Sequence, residues 1–128
     1  MKYPEEEYPL KAESYKIIGI CMEVHRILGR GLLEIVYKDA IEYELKQNRI
    51  LYEREKKYEV EYKGILLPHH FFADFVVFDS IILEIKSQKE IVEEHYKWVI
   101  NYLGISGCRL GLIVNFGDKS LVTKRVIL

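Results

Sequence analysis

Residues 71–88, FFADFVVFDSIILEIKSQ, constrain the fold of this chain more than any other stretch. They read as two short strands around a turn at Asp79-Ser80. Both strands are apolar on both faces. In the first, Phe71, Ala73, Phe75 and Val77 fall on one side and Phe72, Val76 and Phe78 on the other. Strands of this kind are central strands covered by helices, which places the chain in the α/β class. Three charges interrupt the apolar runs: Asp74 in the first strand, Glu84 and Lys86 in the second. An ionised group in a buried strand is costly unless it is paired or holds a metal.

The remaining elements follow from periodicity. From Ala12 to Leu28, the residues Ile17, Ile20, Cys21, Val24, Ile27 and Leu28 recur at three- and four-residue spacing, one face of an amphipathic helix that Gly29 terminates. A second helix is expected from near Leu32 to Asn48, with Leu33, Val36, Tyr37, Ala40, Ile41 and Leu45 as its inner stripe. Glu34 lies in its first turn, where the helix dipole favours a carboxylate, and Tyr37 neighbours it on the same face. Tyr58, Val60 and Tyr62 alternate with charges as in a half-exposed strand; Lys63-Gly64 is a turn, and Ile65 to Leu67 a short return ending at Pro68. A third helix is expected over Lys89–Leu103, then a buried strand over Arg109–Phe116 and a last strand over Leu121–Leu128. The order is helix, helix, three strands, helix, two strands. Residues 1–10, with Pro4, Pro9 and three consecutive glutamates, read as a loose leader, and residues 11–128 as a single domain.

Composition sets limits on function. A net charge of −1 gives no global basic field to advertise nucleic acid, though it leaves room for a local basic patch. Cys21 and Cys108 are far apart and outside metal-ligand spacing, which suits two thiols in a reducing, cytoplasmic compartment. The acidic start MKYPEEEYPL has no apolar signal core, and no run approaches the ~20 apolar residues of a membrane helix.

Register decides whether the three charges meet. In an antiparallel hairpin, paired residues have a constant index sum and point to the same face. A two-residue loop at Asp79-Ser80 would pair Asp74 with Ile85 and turn it away from Glu84 and Lys86. A three-residue loop or a bulge reverses the parity and brings all three together, so convergence demands an odd loop or a bulge. Converged, Asp74 and Glu84 offer oxygen ligands to a hard cation such as Mg²⁺ (or Mn²⁺ as substitute), with the backbone carbonyl of Ile85 as a third. Lys86 is placed to position or deprotonate an attacking water, or to meet charge on a phosphate. From the charges alone, a buried carboxylate–lysine ion pair accounts for them equally well.

Gly31-Leu32-Leu33-Glu34-Ile35-Val36-Tyr37 matches GxxExxY, and the chain from about Tyr15 to Leu128 resembles the small bacterial and archaeal proteins named for that motif, which are assigned to the PD-(D/E)XK nuclease superfamily. Further matches are Glu23-Val24-His25, Ala73-Asp74, Ile82-Leu83-Glu84-Ile85-Lys86, His95 and Asn101-Tyr102-Leu103. The resemblance implies a restriction-endonuclease-like core, a mixed central β-sheet flanked by helices, and Mg²⁺-dependent cleavage of phosphodiesters, DNA rather than RNA. It makes Asp74, Glu84 and Lys86 the metal-binding and catalytic set, with Glu34 joining through water or a second metal. Two positions depart from the pattern: Trp98 replaces a customary Gln, and Phe72 an Arg.

Those departures keep a second reading open, an inactive nuclease-fold module that binds nucleic acid or a protein partner. A homodimer or an accessory subunit would also excuse the missing basic surface. Tyr37, His95, Trp98 and Tyr102 are candidates for substrate contact or for support behind the ligands. For the last three, ordinary helix packing is the simpler reading, as solvation is for His69-His70 and for the Arg54–Lys57 segment.

Overall fold

The computed structural model describes residues 9–128; apart from Pro9 and Leu10, the leader expected over residues 1–10 lies outside the described residues. The elements are α1 (Lys11–Leu28), α2 (Glu34–Gln47), β1 (Tyr52–Tyr62), β2 (Ile65–Val77), β3 (Ile81–Lys86), α3 (Glu93–Ser106), β4 (Leu110–Asn115) and β5 (Val122–Val126), in the expected order. The five strands form one sheet in sequence order. Only β3 and β4 run parallel, joined through α3; the other neighbours are antiparallel hairpins.

Helices cover both faces. α1 and α2 bury Ile17, Cys21, Val24, Ile41 and Leu45 against Phe75, Val77, Leu83, Ile85, Leu112 and Val114. On the other face α3 lays Val99, Tyr102 and Leu103 over Val76, Ile82, Ile113 and Val126. β3 and β4 are therefore buried on both sides, as their unbroken apolar runs require. Each fully buried Ile, Leu or Val contributes about 1.5–3 kcal/mol. Gly111 of β4 lies so close under α3 that a Cβ would stand 2.3 Å from Val99 Cγ1. Among the described residues no helix is long and apolar enough to cross a membrane.

The β2–β3 loop is three residues, Phe78-Asp79-Ser80, between the pair Val77↔Ile81. Phe78 and Asp79 take left-handed backbone at φ 56° and 54°, and the Ser80 N–H returns to the Val77 carbonyl at 3.1 Å. The odd loop demanded by the parity argument is present. The constant index sum places Asp74 across from Glu84.

Four expectations need correction. β2 does not break at Pro68: the pairing jumps from Glu59↔His70 to Glu61↔Leu66, and Pro68 sits in that irregularity, where it owes no ladder hydrogen bond. His69 and His70 consequently lie on an exposed strand rather than in a loop. α3 starts at Glu93 instead of Lys89. Strict alternation along the first central strand also fails, since Ala73 packs on the α3 face and Phe75 on the α1–α2 face. The break continues into β1, where Tyr52 joins the α1–α2 core and Tyr58 the α3 core. Glu55, between them and across from Asp74, has φ 53° although the register on either side, Arg54↔Phe75 and Lys56↔Ala73, is unbroken. The β1–β2 ribbon exchanges its faces at the Glu55–Asp74 position.

Candidate metal centre

Pairing between β2 and β3 runs from Val77↔Ile81 to Phe75↔Leu83 and stops, while β2 stays paired with β1 as far as its tip. β2 therefore leaves β3 at Asp74, and two carboxylates take over the backbone groups at the parting. The Asp74 Oδ2 accepts the Ile85 N–H at 2.8 Å, and the Glu84 Oε1 accepts the Asp74 N–H at 3.1 Å. A strand residue points its N–H and C=O to the same neighbour, so the Ile85 carbonyl opens into this fork as well.

The other Asp74 oxygen belongs to a residue that sequence reasoning missed. The Lys38 ammonium, on α2, lies 2.9 Å from Asp74 Oδ1 and also donates to Glu55. Burial alone would lower the Lys38 pKa, but the hydrogen bonds it donates to Glu55 and Asp74, with the charges of those carboxylates, outweigh it and hold the ammonium above the usual lysine range. A helical lysine and a strand-edge glutamate read as solvated charges, and the left-handed backbone at Glu55 leaves no mark in the sequence. One signal was available: Lys38 follows Glu34 by four residues and so shares its helix face.

Glu84 is only 6% exposed. Burial first, then the Asp74 carboxylate and a hydrogen bond with it, push its carboxyl up to about 9; the Asp74 N–H and Lys86 pull the other way. Burial and the neighbouring carboxylate thus favour the protonated form of Glu84. Lys86 ends β3 two residues beyond Glu84, half-buried on the same strand face, and its carbonyl accepts the Phe116 N–H at 2.8 Å. The segment that follows is tied down on both sides. The Asn115 amide exchanges hydrogen bonds with the Gln88 backbone at 2.8 and 2.9 Å. Ser87 Oγ donates to the Leu32 carbonyl at 2.5 Å, joining the end of β3 to the residue pair that precedes Glu34.

Other sequence candidates fall at different distances from the acid pair. Glu34 starts α2 half-buried, and among the described residues no three His, Cys, Asp or Glu side chains form a group that could hold a metal ion, so no third side chain completes the acid pair. Its charge is felt at His95, whose pKa is lowered by burial and by Lys86 against the pull of Glu34 and Glu94. His95 Nδ1 accepts the Val92 N–H at 3.1 Å and so caps α3, which is why that helix begins late. Tyr37 points away into the core. Its ring stacks on Phe116 at 4.3 Å, and its hydroxyl accepts the Leu32 N–H and donates to the Gly29 carbonyl. The tyrosine of GxxExxY thus clamps the α1–α2 loop. Tyr102 Oη donates to the Phe72 carbonyl at 2.8 Å, and burial and the Glu84, Asp74 and Glu55 carboxylates all raise its pKa. Trp98 is half-exposed beside Phe71 and Tyr102.

These donors fit a hard divalent cation. Two carboxylates from adjacent strands stand at a fork in the sheet into which one backbone carbonyl opens, an all-oxygen donor set of the kind such a cation takes. Sequence and structural comparisons agree with the architecture. A profile of the PD-(D/E)XK nuclease superfamily matches residues 11–126. The crystal structure of SSO0001 superposes with a TM-score of 0.58 at 22% identity, over 72% of this chain and 48% of that one. This chain thus spans about half the length of that structure, and the likeness speaks to the fold. No curated protein matches the chain.

Proposed function

This chain belongs to the PD-(D/E)XK nuclease superfamily, and from that premise we propose that it hydrolyses phosphodiester bonds, in DNA before RNA, with Mg²⁺ held by Asp74, Glu84 and the Ile85 carbonyl. The observation that carries this reading is the fork itself: Asp74 and Glu84 stand face to face where β2 leaves β3, with Lys86 on the Glu84 side. A bound divalent ion supplies two things, a ligand water of lowered pKa and a Lewis acid for the phosphoryl oxygen. The remaining work falls to the chain. Asp74 and Glu84 would hold the ion, Glu84 giving up the proton that burial favours, Lys86 would orient the attacking water or meet charge on the phosphate, and Ser87 and Asn115 tie down the segment that follows Lys86. The preference for DNA rests on the resemblance of the sequence motifs, and a place in the cytoplasm on the two widely spaced cysteines.

A second reading, a non-catalytic module for nucleic acid or a protein partner, draws on Lys38, which already neutralises Asp74, and on the exposed Trp98 and Phe72. Incubating wild type, Asp74→Ala and Lys86→Ala with single- and double-stranded DNA and RNA in Mg²⁺ or Mn²⁺ separates the two. The nuclease reading expects cleavage by wild type and a fall of roughly 10²–10⁴-fold in Lys86→Ala. It also expects Mn²⁺ binding to be lost only in Asp74→Ala. Equal cleavage by all three proteins defeats it, and Mn²⁺ binding without cleavage by wild type gives the module reading.

A further inference from the structure

Lys38 has no part in the reaction proposed above, yet its ammonium is built into the acid pair. We propose that Lys38 is a resident counter-cation that closes the α2 side of Asp74 to a second divalent ion, so that the centre takes a single metal. The inference rests on the metal-centre reading and adds a stoichiometry to it.

Three observations support it. The Lys38 side chain is 11% exposed, and its Nζ stands 2.9 Å from Asp74 Oδ1, while Oδ2 faces β3 through the Ile85 N–H. The two sides of the Asp74 carboxylate are thereby assigned, one to the ammonium and the other to the fork shared with Glu84. Glu34, the carboxylate that α2 could lend to a second ion, lies four residues before Lys38 on the same helix face. An ion between Glu34 and Asp74 would stand against the ammonium and be repelled by it. Glu55 adopts left-handed backbone, φ 53°, inside β1, a conformation that a non-glycine residue holds only where its surroundings enforce it. The result is a second carboxylate on the same ammonium. Lys38 thus has two carboxylate acceptors, the largely buried Asp74 and the half-exposed Glu55, which together hold its ammonium at the α2 side of Asp74.

Mn²⁺ binding, followed by calorimetry and by loss of the free-ion electron paramagnetic resonance signal, tests this without any cleavage assay. Wild type and Lys38→Arg should bind one ion per chain, and Lys38→Gln two. One ion with wild-type affinity in folded Lys38→Gln overturns the role of Lys38 and leaves the metal centre standing. No Mn²⁺ binding by wild type overturns the metal centre itself. Should Lys38→Gln fail to fold, Lys38→Met removes the same ammonium from Asp74 while keeping an apolar stem in its place; a second ion should then bind, and its absence refutes the proposal.

Discussion

Glu84→Gln isolates the proton that burial and the Asp74 carboxylate favour on Glu84. With its carboxyl pushed up to about 9, Glu84 is protonated in the folded chain at neutral pH, whereas in the unfolded chain it ionises near its ordinary 4.5. Between those values the folded state binds one more proton than the unfolded state, so metal-free stability falls as pH rises, by about 1.4 kcal/mol per pH unit. From about pH 7 to about pH 8.5 the loss is about 2 kcal/mol, a visible share of the ~5–15 kcal/mol that holds a typical domain together. Glutamine has the shape of the protonated acid, still accepts the Asp74 N–H and still donates to the Asp74 carboxylate. It removes the pH dependence and keeps the contacts. His95, with its depressed pKa, acts in the opposite direction, its contribution being lost as pH falls below the ordinary histidine range. Cys21, pushed by burial up to about 12, adds a loss at the alkaline end. Both groups are common to the two proteins and cancel in the difference. Urea unfolding in chelator at several pH values is the assay. The wild-type stability should fall away from that of Glu84→Gln as pH rises, the gap widening by about 2 kcal/mol over the window. Parallel profiles would mean that Glu84 is ionised in the folded protein, and the account of a carboxyl raised by burial would be wrong.

Divalent metal should flatten that slope, because binding needs Glu84 ionised, as it already is in the unfolded chain; Mg²⁺ at 100 times its dissociation constant adds about 2.7 kcal/mol of stability, and the apparent affinity climbs with pH up to about 9. Proton release, read from calorimetry in buffers of different ionisation enthalpy, checks it. Tyr37→Phe deletes the hydroxyl between Gly29 and Leu32 and leaves the ring stack in place. It should lower the unfolding free energy by about 1–3 kcal/mol with Mn²⁺ affinity unchanged, which would place Tyr37 in the framework and not at the substrate. Asn115→Ala strips the Gln88 backbone of its partners, so about 2–4 kcal/mol of stability should go, together with activity that depends on Lys86. Unfolding curves and a cleavage rate on the same preparation test both halves.

Much of this protein was legible in its residues. Apolar runs on both faces set β3 and β4 in the middle of a sheet, because only strands covered on both sides can carry them. Helical spacing gave α1 and α2 to within a few residues. Counting through the loop tied any meeting of Asp74 with Glu84 to an odd number of residues, and the fold has three there. The local code ran out where a position's role depends on elements remote in sequence. Lys38 and Glu55, 17 residues apart, are ordinary surface charges until α2 lies across the β1–β2 ribbon and that ribbon turns over at Glu55. Tyr37 could be placed on a helix face but not aimed, since its partners are a loop behind it and Phe116 almost 80 residues away. Pro68 reads as a strand breaker because its missing N–H is a local fact, whereas the irregular pairing that excuses it is not. The sequence alone determined which carboxylates could face one another. Only the packed structure decided what stands behind them, because a buried charge takes its partner from whichever element tertiary packing brings within hydrogen-bonding reach.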